Sequence, residues 1–381
     1  MAVFLLIFGL VSFIGLVVIH ELGHFYAARR NGVDVEEFGI GFPPAFWRKK
    51  MKSGFDFTLN WLPLGGFVKL KGEHDADTEK GSFGAASLGA KIQIMLAGVG
   101  MNLATAIILF TIIALIGMPK IVDNQFTVAS DTKLIQEVQN TDVVLVGEVV
   151  PGSPAEQAGI KVDDEIISVD GQTVDDPAAL PAISQANAGK QVVIVTKDQQ
   201  GQQQTKNVTL ATSSPYLGVA PYSGRTGLEV RRSTWSAPIV ALGITRDFTV
   251  LTFKGLGSAV QGLGSTIAGL FTGNDEARRN GQAEATEQVG GPVAIFVVLK
   301  EGSKLGISFV LMIIAIISLT LAIMNILPIP ALDGGRLFVT LLFRGLKKPL
   351  TPELEERIHG TGMVVLLALF ALITIVDIRR F

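Results

Sequence analysis

A charge-free and almost entirely apolar segment runs from Ala2 to Ile19, and it limits the possible folds more than any other feature. Its length is close to the roughly 20 residues that an α-helix needs to cross the hydrocarbon core of a bilayer. The segment has no positively charged start and continues directly into His20, so we interpret it as a membrane helix and not as a removed signal peptide. Three more apolar segments, at 92–118, 305–327 and 362–376, are typical of membrane spans. The sequence therefore predicts about four transmembrane helices.

The composition agrees with a lipid environment and excludes several classes of function. Hydrophobic residues make up 48% of the 381 residues and charged residues 17%, which is unusual for a soluble enzyme. The net charge is -2, and no basic cluster is interleaved with aromatic residues, so we expect no nucleic-acid partner. Cysteine is absent, which removes disulfides, thiol nucleophiles and thiolate zinc sites and leaves His, Asp and Glu as metal ligands.

Basic residues gather in two of the segments between the spans. They are Arg29, Arg30, Arg48, Lys49, Lys50, Lys52, Lys69, Lys71, Lys80 and Lys91 before the second span, and Arg336, Arg344, Lys347, Lys348 and Arg357 before the fourth. Short loops that carry many Lys and Arg residues lie on the cytoplasmic side of the membrane. We therefore predict that both loops are cytoplasmic, that both termini are external, and that the long segment between the second and third spans faces outward.

That long segment contains the pattern of a small β-rich domain. Alternating apolar and polar residues at 191–198 and 205–212, around a Gln/Gly-rich turn, predict two antiparallel strands. The elements GSPAEQAG (152–159) and DEIISVDG (164–171) resemble those of a bacterial PDZ domain. The loop YLGV (216–219) follows these elements, whereas the similar carboxylate-binding loop leads other PDZ domains. The order therefore resembles that of a circularly permuted PDZ domain.

The motif HELGH directly follows the first apolar segment. His20 and His24 are four residues apart, so a helix places them on one face, where they can share a metal ion. In this motif Glu21 is not a ligand but the base that takes a proton from water held by the metal. The alternative is an accidental pattern, which is improbable in a chain with only four histidines.

A catalytic zinc site needs a third protein ligand. Glu36 and Glu37 are candidates, but they lie in what the sequence predicts to be a charged loop after the helix. Asp333 is the better candidate, because it follows the third span in NILPIPALDGG, where two prolines end the helix. Its alternative role is the N-cap of the next helix. Both HELGH and Asp333 lie at the cytoplasmic ends of their spans, which puts them at the same depth and favours the ligand role.

Together, HELGH, the NxxPxPxLDGG pattern and one external PDZ domain resemble the site-2 protease family of intramembrane metalloproteases. The similarity is closest to the bacterial branch that cuts membrane-anchored anti-sigma factors and remnant signal peptides. The resemblance implies a multi-pass protein of the bacterial cytoplasmic membrane with one catalytic Zn²⁺ near the cytoplasmic side. It also implies His20, His24 and Asp333 as zinc ligands, Glu21 as the base, and Asn325 as a residue that handles substrate.

A substrate helix must be unwound before its backbone can reach the metal. The segment 55–72 alternates apolar and polar residues on both sides of Pro63–Gly66, which predicts a membrane-associated β-hairpin. Its edge strand could pair with a substrate strand, and the family resemblance assigns Gly65, Gly66, Phe67 and Val68 to this element. A plain amphipathic hairpin is the alternative. The PDZ domain is expected to bind peptide or to act as a size filter against bulky external domains, unless it is a passive spacer.

The predicted fold is thus a polytopic α-helical membrane protein with a membrane-associated β-hairpin and an extracytoplasmic α+β PDZ domain. Membrane parts at 1–120 and 301–381 enclose the PDZ domain at 121–225. Interfacial amphipathic helices and a mobile loop at 273–287 occupy 226–300. The predicted partners are the lipid bilayer and single-pass membrane proteins as substrates. A PDZ protein with a degenerate metal site would lack one of the four metal-site residues, and a transporter would carry charges within its spans; neither description fits.

Overall fold

The structure is a computed structural model, and it describes residues 2–122, 124–137, 141–198, 201–226, 229–272 and 291–380. The chain divides into two compact units, Met1–Lys133 with Arg231–Phe381, and Leu134–Val230. The mobile loop predicted at 273–287 lies outside the described residues.

The described residues contain both helices and strands. In chain order, they form α1 (Ala2–Arg30), β1 (Val35–Lys50), β2 (Asp56–Leu70), α2 (Leu88–Ile116), β3 (Met118–Pro119), β4 (Lys133–Glu137), β5 (Thr141–Val149), α3 (Pro154–Gln157), β6 (Glu165–Val169), β7 (Gln172–Thr173), α4 (Ala179–Ala186), β8 (Gln191–Lys197), β9 (Gln203–Thr209), β10 (Val219–Thr226), β11 (Glu229–Arg232), α5 (Ala237–Thr272), α6 (Pro292–Leu305), α7 (Ile307–Ile326), α8 (Asp333–Gly345) and α9 (Pro352–Arg380).

Four described helices are long and apolar enough to cross a membrane, which confirms the predicted number. They are α1, α2, α7 and the part of α9 from Pro352 to Ile375. Helix α1 continues without a break through HELGH and ends at Arg30, where Gly32 adopts a φ of +73° and Val33 N–H donates to the Ala28 carbonyl. The motif therefore lies on a helix, as predicted.

The long helices of the larger unit pack through small residues. Ala106 of α2, Ala241 of α5 and Ala315 of α7 are completely buried, and Phe110 stacks on Phe248 with ring centroids 6.0 Å apart. Small side chains let helix backbones approach closely, which increases van der Waals contact where lipid provides no hydrophobic driving force. This packing fixes α2 between α5 and α7.

Helix α5 lies within the stretch 226–300, where interfacial amphipathic helices are predicted. It is a single helix of 36 residues, and its first half packs into the same core as α2 and α7. Gly243 in this helix leaves room for a packed ring, because a β-carbon there would lie 2.2 Å from Phe126. Gly243 is therefore a site of close packing within a continuous helix and does not end the helix.

The β-rich element of the larger unit is also different from the predicted hairpin. Residues 56–70 form one strand, β2, which pairs with β1. Residue Gly39 of β1 lies opposite both Phe67 and Thr58, so the start of β1 runs between the two halves of β2, and those halves do not pair with each other. The two halves of β2 are amphipathic, as predicted. The strand between them is the start of β1, which the sequence predicts to be a charged loop.

The unit Leu134–Val230 contains a sheet with the strand order β10-β5-β6-β8-β9, and β7 pairs with β6. The predicted antiparallel pair at 191–198 and 205–212 is present as β8 and β9, with Gln191 opposite Thr209. Helix α3 begins at Pro154 after Ser153, whose hydroxyl accepts the Glu156 N–H at 3.3 Å. Buried aliphatic side chains of both sheet and helices, such as Val144, Ile194 and Leu180, form its core.

Candidate metal centre

Three potential ligand atoms from two distant parts of the chain converge on one point. Asp333 Oδ2 lies 3.0 Å from His20 Nε2 and 3.2 Å from His24 Nε2, and the two imidazole nitrogens are 3.2 Å apart. A tetrahedral zinc ion with bonds of about 2.0–2.1 Å separates its ligand atoms by roughly 3.3 Å. The spacing of these three atoms therefore suits a single zinc ion.

The hydrogen bond of His24 leaves its metal-facing nitrogen free. His24 Nδ1 lies 2.8 Å from the carbonyl oxygen of Ile94 in α2. Because a carbonyl can only accept, Nδ1 carries the proton and Nε2 presents a lone pair. This is the usual arrangement of a zinc-binding histidine, whose second nitrogen is held by a protein acceptor.

His20 is held by Asn102, a completely buried residue of α2. The Asn102 side-chain nitrogen lies 3.2 Å from His20 Nδ1, and the Asn102 backbone carbonyl accepts the Ser318 hydroxyl of α7 at 2.8 Å. Helix α2 thus positions both histidines of α1, one through a carbonyl and one through an amide side chain. Sequence reasoning missed Asn102, although an amide in the middle of an apolar span is a signal of function.

Asp333 reaches the histidines from the first turn of α8. Leu332 is the N-cap of this helix, so Asp333 is not, and its side chain points to the two imidazoles instead. The helix begins very close to the end of α7, because a β-carbon on Gly335 would lie 1.9 Å from the Ile329 carbonyl oxygen. Only glycine fits there, which explains why two glycines follow the aspartate.

Asp333 has the surroundings of a metal ligand. Its Oδ2 atom is buried and has no hydrogen-bond partner among the described residues. A buried carboxylate oxygen that faces two imidazole lone pairs needs a cation to compensate it, so the residues present fit a zinc ion.

Helix α2 approaches the Nε2 atoms of the two histidines closely at Gly98. A β-carbon on Gly98 would lie 2.5 Å from His24 Nε2 and 2.7 Å from His20 Nε2. Ordinary van der Waals contacts are 3.4–4 Å. The absence of a side chain at Gly98 is therefore a condition for the present positions of both histidines, and sequence reasoning did not identify it.

Glu21 faces the edge of the β-rich element. The Val68 backbone N–H donates to the Glu21 carboxylate, and Gly66 lies against its side chain, at 3.4 Å from Cγ to a β-carbon built on the glycine. Residues 66–70 pair with the start of β1 on one side only among the described residues. The other side of this strand faces Glu21.

A cavity of about 280 Å³ opens next to the three ligand residues. Its lining includes Glu21, His24 and Asp333, the edge residues Phe67 and Val68, and Arg336 of α8. Arg336 donates to the Glu73 carbonyl at 3.2 Å. The cavity is large enough for a substrate side chain. The charged residues Arg336 and Glu73 lie at one of its walls.

The other predicted site residues have different surroundings. Asn325 donates to the Leu321 carbonyl of its own helix at 3.0 Å, and no described contact joins it to the three ligands. Gly65 lies against the Phe42 ring. Glu36 pairs with Lys69 at 2.9 Å, and Glu37 accepts the Thr58 hydroxyl at 2.8 Å, so both carboxylates have partners within the sheet. The structure favours Asp333 over both as the third ligand.

Comparison with known proteins agrees with this geometry. The family model described as Peptidase family M50 matches residues 8–369, from within α1 to within the last span. A candidate zinc metalloprotease of Clostridium perfringens is 31% identical, over 98% of this chain and 98% of that protein. A candidate zinc metalloprotease of Campylobacter jejuni is 30% identical (96% and 90%), and the candidate protease Eep of Enterococcus faecalis is 26% identical (99% and 98%).

The matched region contains both halves of the metal centre, on α1 and at the start of α8, together with α2, α7 and most of the other two apolar helices. Full-length similarity to relatives named as zinc metalloproteases agrees with the cluster of two histidines and one aspartate. This chain is therefore a membrane zinc metalloprotease of peptidase family M50, the site-2 protease family.

Proposed function

We propose that this protease cuts single-pass membrane proteins within their transmembrane segments, with one zinc ion held by His20, His24 and Asp333. The observation that carries the proposal is the meeting of these three residues with Glu21 at the ends of apolar helices. Anti-sigma factors and remnant signal peptides are the substrate classes that the sequence resemblance suggests.

The residues of the site have separate tasks in peptide hydrolysis. Zinc bound there would supply Lewis acidity, which polarises the scissile carbonyl and lowers the pKa of a water molecule. Glu21 takes a proton from the attacking water and returns it to the leaving amine. The Val68 N–H orients the Glu21 carboxylate for both transfers. Asn102 and the Ile94 carbonyl fix the two imidazole rings.

A His20 ring that would present Nε2 to the metal carries its proton on Nδ1. With the Asn102 amide rotated, Oδ1, which is buried without a partner among the described residues, accepts a hydrogen bond from this N–H. The rotated amide satisfies an otherwise unpaired oxygen and holds the ring in its ligand orientation.

The edge strand 66–70 holds the unwound substrate by strand addition. Val68 N–H and Leu70 N–H both point away from β1, to the carboxylates of Glu21 and Glu73 respectively. Residues two apart on a strand present their groups to the same side, so Gly66 exposes its groups there as well. Because the Val68 and Leu70 N–H groups already hold the carboxylates of Glu21 and Glu73, a substrate strand pairs with this edge through Gly66, which brings its backbone next to the catalytic base.

The protein lies in the bacterial cytoplasmic membrane with the metal centre near the cytoplasm and the β-rich unit outside. The basic residues of the two loops support this orientation. We assign the unit Leu134–Val230 as a permuted PDZ domain, because its strand β10 follows the YLGV loop and lies at the edge of the sheet. As a folded body outside the membrane, it acts as a size filter that delays substrates with bulky external domains.

The test uses purified wild-type protein and Glu21→Gln in liposomes with a panel of single-span substrates. We expect one zinc ion per chain in both, and a loss of cleavage in Glu21→Gln of about 10²–10⁴-fold, which is the usual contribution of a positioned base. Asp333→Ala should lose zinc, whereas Glu36→Ala, which removes an exposed carboxylate paired with Lys69, should keep it. Cleavage that resists a chelator, or equal cleavage by wild type and Glu21→Gln, would refute the proposal.

A further inference from the structure

The last span carries a polar face at its cytoplasmic end that the metal centre described above does not explain. Glu355, His359 and Gly362 of α9 are spaced by four and three residues, so they share one side of the helix. Glu355 is buried and accepts the Asp75 backbone N–H at 3.0 Å. This face therefore contacts other segments of the protein and is not turned to lipid.

His359 contacts the turn that carries the third ligand. Its Nδ1 atom lies 3.2 Å from the backbone nitrogen of Ala331, two residues before Asp333. Because a backbone N–H can only donate, Nδ1 accepts, and the neutral ring carries its proton on Nε2. Nε2 is buried and has no partner among the described residues. The bond through Nδ1 is thus the polar contact that accounts for a histidine at this position.

The turn needs such a contact because its backbone is strained. Ala331 adopts a φ of +78°, in the left-handed region that residues with a side chain disfavour. The residue also lines the cavity beside Glu21 and Asp333. A strained conformation persists only where the surroundings determine it, and His359 supplies that constraint at the Ala331 N–H.

Gly362 provides a second, independent contact with the same turn. A β-carbon at this position would lie 2.5 Å from Pro330 Cβ and 2.7 Å from the Pro330 carbonyl oxygen. Helix α9 therefore touches the turn with its bare backbone, one helical turn away from His359. Gly360, on the same helix, has no atom within 4 Å of such a β-carbon.

From these contacts we infer that His359 is a positioning residue for the metal centre: it holds the strained turn at Ala331 and so fixes where Asp333 meets His20 and His24. Helix α9 is then a support for the third ligand as well as a membrane span. The inference rests on the proposed zinc-dependent function, because it assigns a role in holding a zinc ligand.

The first experiment compares three substitutions of His359 in the Glu21→Gln background, where catalysis is blocked and zinc binding is measured by competition with a chelator. Asn places its Oδ1 where His places Nδ1, so His359→Asn keeps the acceptor and should bind zinc within about twofold of its parent. His359→Leu has no acceptor, and Gln places its oxygen one bond farther out. Both should lose at least about tenfold in zinc affinity, as outer-shell substitutions usually do.

Activity of the same substitutions with Glu21 intact gives a second readout. Because the substrate strand binds at residues 66–70, His359→Leu should lower kcat while KM stays within about twofold, and His359→Asn should restore kcat. A merely structural role would not separate Asn from Gln. Zinc affinity and kcat of His359→Leu equal to those of wild type would overturn the inference, as would equal losses in His359→Asn and His359→Leu.

Two glycine substitutions provide a matched pair. Gly362→Ala should lower zinc affinity, since its methyl group would displace Pro330, whereas Gly360→Ala should leave it unchanged. Equal zinc affinities of these two variants would contradict the support by α9. A wild-type protein that binds no zinc would overturn both this inference and the proposed function. Zinc in wild type together with unaltered binding in His359→Leu would overturn this inference alone.

Discussion

Replacing Gly98 by alanine adds one methyl group to α2 directly against the two metal-facing histidines. The new carbon would lie 2.5–2.7 Å from the nitrogen atoms of His24 and His20, whereas ordinary contacts begin at 3.4 Å. The imidazole rings would therefore have to retreat by about 0.7–0.9 Å. Zinc–ligand distances tolerate only about ±0.2 Å, so the retreat is several times larger than the metal site can absorb.

Neither histidine can retreat without a further loss. His24 Nδ1 is bound to the Ile94 carbonyl, and His20 Nδ1 is held by Asn102, both on the same helix that carries the new methyl group. A shift of the ring away from α2 breaks these bonds and also moves Nε2 relative to Asp333. Since a displacement of about 1 Å can cost about 10²-fold in rate, we expect Gly98→Ala to lose at least this much activity, together with tight zinc binding.

The matched control is Gly100→Ala, two residues further along α2, where a β-carbon has no neighbour within 4 Å. Alanine favours a helix over glycine by roughly 0.5–1 kcal/mol, so both variants gain helix propensity. The assay is zinc content after dialysis against a chelator, with cleavage of a single-span substrate measured in parallel. Gly100→Ala should match wild type in both. Full zinc content and activity in Gly98→Ala would refute the close-approach argument.

Two further predictions concern residues that sequence reasoning missed. Asn102→Leu should weaken zinc binding by about 10–100-fold, because it removes the partner of His20 Nδ1, while Asn102→Asp, which keeps an acceptor, should lose less; equal zinc affinity of Asn102→Leu and wild type would contradict this role. Asp131 should stabilise the fold only above acidic pH. Burial would raise its pKa, but hydrogen bonds from Ser236 and Thr234 hold that pKa well below its ordinary value, so its stabilising contribution is complete above about pH 4 and is lost as the pH falls further. In thermal unfolding, Asp131→Asn should therefore have a lower Tm than wild type at pH 7 and a smaller difference at pH 3; a difference independent of pH would disprove the assignment.

The meeting of His20, His24 and Asp333 could be predicted because each residue belongs to a local pattern with a physical reason. His20 and His24 are fixed by helical spacing, which needs only four residues of chain. Asp333 is more than 300 residues away in the sequence. Both motifs nevertheless lie where a span ends on the same side of the bilayer, which places them at the same depth. A soluble enzyme of this length would give no such restriction. The lipid environment is therefore what made the third ligand predictable.

The β-rich element could not be predicted in the same way. Alternation from 55 to 72 correctly indicated extended structure, because a strand repeats every two residues. Alternation does not indicate which strand is the partner, and the turn residues Pro63–Gly66 suggested local pairing. The actual partner contains Glu36 and Glu37, whose charges suggested a loop. Both glutamates point to cations or hydroxyl groups within the sheet, namely Lys69, Arg48 and Thr58.

The supporting residues of the metal centre share a different reason for being missed. Asn102, Gly98 and His359 act through contacts between helices, and each stands as a single residue in its own sequence context. The pattern of α9 shows what could have been noticed: polar residues and a glycine at 355, 359 and 362 repeat with helical spacing where a membrane span begins. Such a face has to be covered by protein, because lipid cannot satisfy it. An apolar span with one polar face therefore predicts a buried partner, and in this protein that partner is the turn that leads to Asp333.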